Sequence, residues 1–317
     1  MKLLLVALSI SMLMEWAECV PKSLQTVAKI KLTSLTSSLT LLSSSLITGV
    51  ASASAAAASG ARAEFEKDEF RARYPYARPS DFIDYIEDVG EEGNFESVLR
   101  SAYRFSSVYP MYGLSEEKSK FLASKVKNRH SMLEIGTFYG FSTCFMLRAM
   151  PRDCTLTCIE GNEENIAVAK AVVEKAFGKG NEVLQRWKII PGLSTDVLKR
   201  SSREELTRSP NKNFDFVFLD HDKSFLLPDT QILENRELLS EAATIVADNV
   251  IFPGAPSFLE YMNAPGRSTN SPSEESVGSQ FEWETKLYPF PFERVGFETG
   301  YKVKDDAMSV STRRMKS

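Results

Sequence analysis

Histidine and cysteine are scarce: two and four residues in a chain of 317. With only His130 and His221, a site built from several histidines cannot form. A Ser–His–acid triad would have to use one of them, and no G-x-S-x-G elbow accompanies either. No C-x-x-C pair exists, so neither a thiol redox site nor a cysteine-based zinc site is supported. Cys154 and Cys158 fall in one strand-like run, where four residues span roughly 13 Å, too far for a disulfide. A G-x-G-x-x-G dinucleotide fingerprint is missing as well. The net charge of −4 gives no reason to expect a nucleic-acid surface. What these absences leave open is chemistry on oxygen ligands.

The first 63 residues differ from the rest. "MKLLLVALSISMLM" pairs a basic second residue with an apolar run of signal-peptide length, and "AEC" at 17–19 suits cleavage. From Val20 to Ala63 no acid occurs, while Ser, Thr and Ala dominate and Lys22, Lys29, Lys31 and Arg62 add positive charge. The composition predicts a signal segment at 1–19 and a transit-like segment at 20–63. Delivery to the plastid of a complex alga is the expectation; the alternative is a secretory or anchored protein with a Ser/Ala linker. Membrane contact is expected only if that segment is kept as an anchor.

From Glu64 the composition is that of a globular domain, 64–317. "PSDFIDYIEDV", "FESVLRSAYRF" and "LSEEKSKFLASKV" carry helical spacing, the last opening on a Ser115 cap. Five short apolar runs follow, at 131–136, 154–160, 186–192, 214–220 and 243–249, separated by helix-length patterns such as 163–177. This alternation predicts an α/β fold, a doubly wound parallel sheet with helices on both faces. Runs at 281–290 and 306–314 lack a helix between them and predict a closing antiparallel pair. The stretch 265–279 is read as a polar surface loop.

Ligands of such sheets bind beyond the carboxyl ends of the strands. The first run ends "LEIGTFYGFST", where Gly136 permits a tight turn close to a ligand and Ser142 falls at a helix N-terminus suited to a carboxylate. The second ends at Glu160, where doubly wound folds hold ribose hydroxyls; the bland alternative is an acidic helix start. Loop and acid together suggest an adenosine ligand with a carboxylate and no pyrophosphate, a description that S-adenosylmethionine fits. If the fourth and fifth runs are neighbours, their ends lie roughly 5 Å apart. Asp220, Asp248 and Asn249 then crowd together, and paired carboxylates with an amide oxygen suit magnesium. The rival reading is two unrelated strand ends.

At these residues the sequence resembles the catechol O-methyltransferase family. "FLDHDKSFLLPDT" and "VADNVIFPGAP" look like its metal and substrate segments, and "MLEIGTFYGFST" with "CIEGNEEN" like its cofactor motifs, over about 109–258. The resemblance implies a Rossmann-like seven-stranded methyltransferase sheet with an antiparallel last strand, S-adenosylmethionine and Mg2+. It implies Asp220, Asp248 and Asn249 as metal ligands and Lys223 as general base. Glu134, Gly136, Ser142, Glu160, Ser194, Thr195, Asp220 and His221 are implied around the cofactor, with Met111 and Gly113 weaker. Lys223, Asn249 and Pro253 are implied around the substrate. Two departures stand out. Asp222 replaces the family's tryptophan, removing or rebuilding one wall of the slot. The family's late glutamate is assigned to Glu293, with Glu282, Glu284 and Glu298 competing. The implied enzyme is a monomer methylating a small catechol-type phenol. Alternatives are another vicinal-diol phenol, such as a caffeoyl ester or flavonoid, and a catalytically silent cofactor-binding module.

Overall fold

All five apolar runs become parallel strands of one sheet: β1 (Ser131–Ile135), β2 (Thr155–Glu160), β3 (Trp187–Pro191), β4 (Phe214–Leu219) and β5 (Leu239–Ala247). They belong to a computed structural model that describes residues 70–73, 78–109, 111, 113–208, 212–264, 280–292 and 304–316. The chain divides into two units, Met1–Phe70 and Arg71–Ser317, and every element named here lies in the second. The leader segments expected over 1–63 and the loop at 265–279 lie outside the described residues. Among those described, no helix is long and apolar enough to cross a membrane.

The tail forms β6 (Phe281–Phe292) and β7 (Lys304–Met315), and the sheet runs β3-β2-β1-β4-β5-β7-β6. β7 pairs antiparallel with both β5 and β6. β5 starts four residues before its apolar run (239 against 243), because a register shift lets buried Leu239 pair with Phe214. Polar residues in that interval hid the early start from the pattern.

Alternate side chains sort the two faces. Leu133, Ile135, Val217, Leu219, Ile245 and Ala247 share one cluster with α6 (Ser194–Arg200), α7 (Arg203–Thr207), α8 (Leu226–Asn235) and α9 (Pro256–Asn263). The opposite face meets α4 (Phe141–Ala149), which contacts α5 (Glu163–Phe177) and α3 (Glu116–Lys125); α1 (Pro79–Val89) and α2 (Phe95–Val108) pack on α5. Covered on both faces, the central strands are almost wholly apolar, as parallel strands must be. Phe216 and Phe218 are fully buried, each worth roughly 1.5–3 kcal/mol of transfer free energy. The expected caps appear too: Ser115 Oγ accepts from Lys118 N at the start of α3. Cys144, Cys154 and Cys158 are buried and unpaired.

Candidate active site

The strand order reverses between β1 and β4, and a cleft of about 1060 Å³ opens at that edge. Gly136 makes the junction possible. Its φ is +92°, and a Cβ there would lie 2.4 Å from the carbonyl oxygen of Asp220. The two strand ends close up because β1 is followed by a residue without a side chain. The close backbone neighbour is thus Asp220 at the end of β4, whose N donates to Ile135 O at 2.9 Å.

Gly113, Gly136, Ser142, Glu160, Ser194 and His221 line the cleft, as does Met111. Glu160 Oε2 accepts from Phe138 N at 2.8 Å and Oε1 from Asn162 N at 2.9 Å, which ties the β1 and β2 turns together. The cap of α5 is Asn162, which accepts from Glu164 N and Asn165 N. Glu160 is therefore not the helix start of the bland reading. His221 Nε2 meets buried Asp229 Oδ2 at 2.9 Å, and Thr195 Oγ1 donates to Asp229 Oδ1 at 2.7 Å. Since a carboxylate only accepts, Nε2 is the ring nitrogen that donates in this bond. Nδ1 is left buried and, among the described residues, without a partner.

Glu134 and Thr195 sit behind this surface rather than on it. Glu134 is fully buried; Ser142 Oγ donates to Oε1, while Thr143 Oγ1 and Cys158 Sγ donate to Oε2. Burial dominates and pushes its carboxyl up to about 7, against the pull of those three donors. A folded pKa above the ordinary carboxyl value favours the protonated, folded form. That stability is fully present below pH 4.5 and is lost as pH rises through 7. A shift from 4.5 to about 7 amounts to roughly 3 kcal/mol at most. Glu134→Gln is expected to flatten the fall in melting temperature across that window, measured by thermal melts at stepped pH. An unchanged slope would show that another group sets it.

Asp220, Lys223, Asp248, Asn249 and Pro253 line the same cleft. Phe218 pairs with Val246 and Leu219 with Ala247, so Asp220 and Asp248 leave neighbouring strands side by side. Lys223 Nζ donates to Asp220 Oδ1 at 3.1 Å. Burial, then the charge of Asp220, raises the Asp248 carboxyl to about 6. Asn249 has φ +55°, a left-handed conformation that Asn tolerates better than most residues.

Three residues here escaped the sequence reading. Lys118, on α3, donates through Nζ to Asp248 Oδ1 at 2.7 Å and to Asp306 Oδ2 at 2.8 Å, all three groups buried. Burial opposes the Lys118 charge, but the two carboxylates outweigh it and its pKa rises. Asp306, on β7, is held lower by Lys118 and by Phe252 N in spite of its burial. Asp229 is the third. Among the described residues no three His, Cys, Asp or Glu side chains cluster as a metal site; the predicted set has two acids and an amide.

Glu293 and Glu298 lie outside the described residues. Register removes the two remaining rivals. Glu282 and Glu284 pair with Arg314 and Thr312, far along β6 from Phe290, which pairs with Asp306 beside the cleft. Glu284 instead binds Lys286 and Arg314.

A doubly wound sheet with its cleft at the strand-order switch, an acid after β2 and no pyrophosphate loop is the architecture of a Rossmann-like methyltransferase. A family model described as O-methyltransferase matches residues 91–261. The chain belongs to that family. Catechol O-methyltransferase B of Danio rerio is 30% identical over 58% of this chain and 68% of its own length. Catechol O-methyltransferase of Sus scrofa is 36% identical over 43% of this chain and 68% of its own. The Transmembrane O-methyltransferase homolog of Mus musculus is 37% identical over 43% of this chain, and the match spans only 50% of that relative. Among solved structures, the O-methyltransferase of Bacillus cereus in complex with SAH aligns with a TM-score of 0.48 and 18% identity, covering 78% of this chain and 96% of that one. At that distance it does not bear on the site.

Proposed function

We propose that this chain is a Mg2+-dependent enzyme that moves a methyl group from S-adenosylmethionine to a hydroxyl of a catechol-type phenol. One observation carries the reading: Asp220, Asp248 and Asn249 meet at adjoining strand ends, each with one polar atom held by the protein and one oxygen left over. Asp220 uses Oδ1 for Lys223, Asp248 uses Oδ1 for Lys118 and Asn249 N, and Asn249 uses Nδ2 for Asp306. Among the described residues nothing donates to the second oxygens. Three hard oxygens on one side, with room for water or substrate on the other, fit magnesium. The cofactor end fits as well. Among the described residues His221 Nδ1 is buried without a partner, a state costing roughly 1–3 kcal/mol that a hydrogen bond from a ligand would relieve. Glu160 Oε2, which accepts from Phe138 N alone among the described residues, has a second lone pair that suits a ribose hydroxyl.

S-adenosylmethionine supplies a methyl group on a positively charged sulfur. Magnesium, when bound, supplies positive charge beside the acceptor oxygen. A phenol, with pKa near 10, is mostly protonated at neutral pH, so the proton needs a destination. Lys223 Nζ is the group placed to take it, and Asp220 holds that amine in position. Pro253 and Phe252 flank the same end of the cleft and orient the ring.

Asp222 stands where the resemblance has tryptophan. Its Oδ1 accepts from Ser224 N and Oγ, so it caps the short turn Lys223–Phe225 and lines the cleft with a carboxylate where an aromatic ring would stand. These bonds hold its carboxyl below the ordinary range. Phe225 and Phe252 line the cleft and supply the aromatic surface that Asp222 cannot.

The test is product formation, by mass spectrometry, from S-adenosylmethionine with catechols, caffeoyl esters and dihydroxyflavonoids, each beside its monohydroxy analogue. Methylation confined to the vicinal diols is expected. Equal turnover of the monohydroxy analogues would remove the chelation argument. Cofactor binding with no product from any of them would favour the silent module.

A further inference from the structure

Hydrogen bonds made behind the three ligands decide which of their atoms face the cleft, and Asp306 makes the one that holds the Asn249 side chain. The register that pairs Ala247 with Ser309 carries β7 on past the end of β5, bringing Asp306 beside the segment that follows Asp248. Its side chain is fully buried. Oδ1 accepts from Phe252 N at 3.0 Å, and Oδ2 accepts from both Lys118 Nζ and Asn249 Nδ2 at 2.8 Å. A carboxylate has only acceptors to offer, so it fixes the Asn249 amide with nitrogen toward β7 and oxygen away from it. Lys118 joins this arrangement to Asp248, taking Oδ1 and leaving Oδ2.

We infer that Asp306 is a positioning residue that selects the carbonyl end of the Asn249 amide for the cation, anchored for that purpose by Lys118 and by the backbone of Phe252. This rests on the metal reading proposed above. Residues that orient metal ligands in this way commonly govern affinity by about 10–100-fold when replaced. A simple contribution of negative charge near the ion would also weaken binding on replacement, so the test must separate orientation from charge.

A double-mutant cycle separates them. Mn2+ alone is titrated, followed by its EPR signal, into the parent chain, Asp306→Asn, Asn249→Ala and the double variant. S-adenosylmethionine affinity is measured in parallel by calorimetry. Asp306→Asn is expected to weaken Mn2+ about 10–100-fold in the parent but less than about twofold when Asn249 is already alanine, with cofactor affinity unchanged. Equal losses in both backgrounds would mean that Asp306 acts by charge, and no loss in either would mean that it does not act; each overturns the inference. If the parent itself does not bind Mn2+, the metal reading falls and takes this inference with it. That outcome is distinct from a binding parent with an indifferent Asp306→Asn. Should Asp306→Asn fail to fold, Asp306→Glu, which keeps the charge and displaces the oxygens, takes its place with the same expectations. Failure of both to fold overturns the inference, since the residue would then serve the fold alone.

Discussion

Treatment with EDTA is expected to abolish methyl transfer, and added Mg2+ to restore it. At pH 7 only about one phenol in a thousand is ionised when its pKa is near 10. The three protein oxygens at the β4 and β5 ends hold no positive charge of their own for the acceptor. Ca2+, which prefers more ligands at longer distances, should restore less activity than Mg2+ at equal occupancy. Asp248→Ala should reproduce the EDTA result even in excess Mg2+, because it removes one of two carboxylates and leaves Lys118 paired only with Asp306. The measurement is initial rate against free metal concentration after chelation. More than half the original rate surviving rigorous chelation would refute cation dependence.

Lys223→Met should lower kcat by roughly 10²–10⁴, the usual contribution of a positioned acid–base group, while cofactor affinity changes little. The separation follows from the geometry. Lys223 is held by Asp220, one of the proposed metal ligands, whereas His221, on the proposed cofactor surface, is held by Asp229, which Thr195 also binds. Lys223→Arg should not rescue turnover, since a guanidinium does not give up its proton in proteins. Single-turnover kinetics with preformed cofactor complex isolate the step. Turnover by Lys223→Met equal to that of the parent would strike this lysine from the mechanism.

The strands were legible because each apolar run stops at glycine, acid or amide, at the place where β-period gives way to turn residues. Asp220, Asp248 and Asn249 were legible for the same reason: each lies directly beyond its run, so adjacency of the strands was enough to bring them together. Lys118 was not. It sits in "EEKSK", which reads as a solvated helix face, and only the packing of α3 turns this one lysine inward. Asp306 was hidden by its neighbour: of Asp305 and Asp306, one is exposed and the other buried, and strand register alone decides which. Asp229 lies within a helical stretch whose inward side is unmarked in one sequence. The choice among late glutamates was likewise a question of register, which places Glu282 and Glu284 opposite Arg314 and Thr312.

β7 is threaded between β5 and β6 although it comes last among the described strands. A ribosome therefore releases both acids, the amide and the lysine partner well before the strand that aligns them has been made. A nascent or C-terminally clipped chain lacking that strand would present an open edge at β5 where the finished molecule has a ladder. Quality of the assembled centre thus becomes a report on whether synthesis reached the final hairpin.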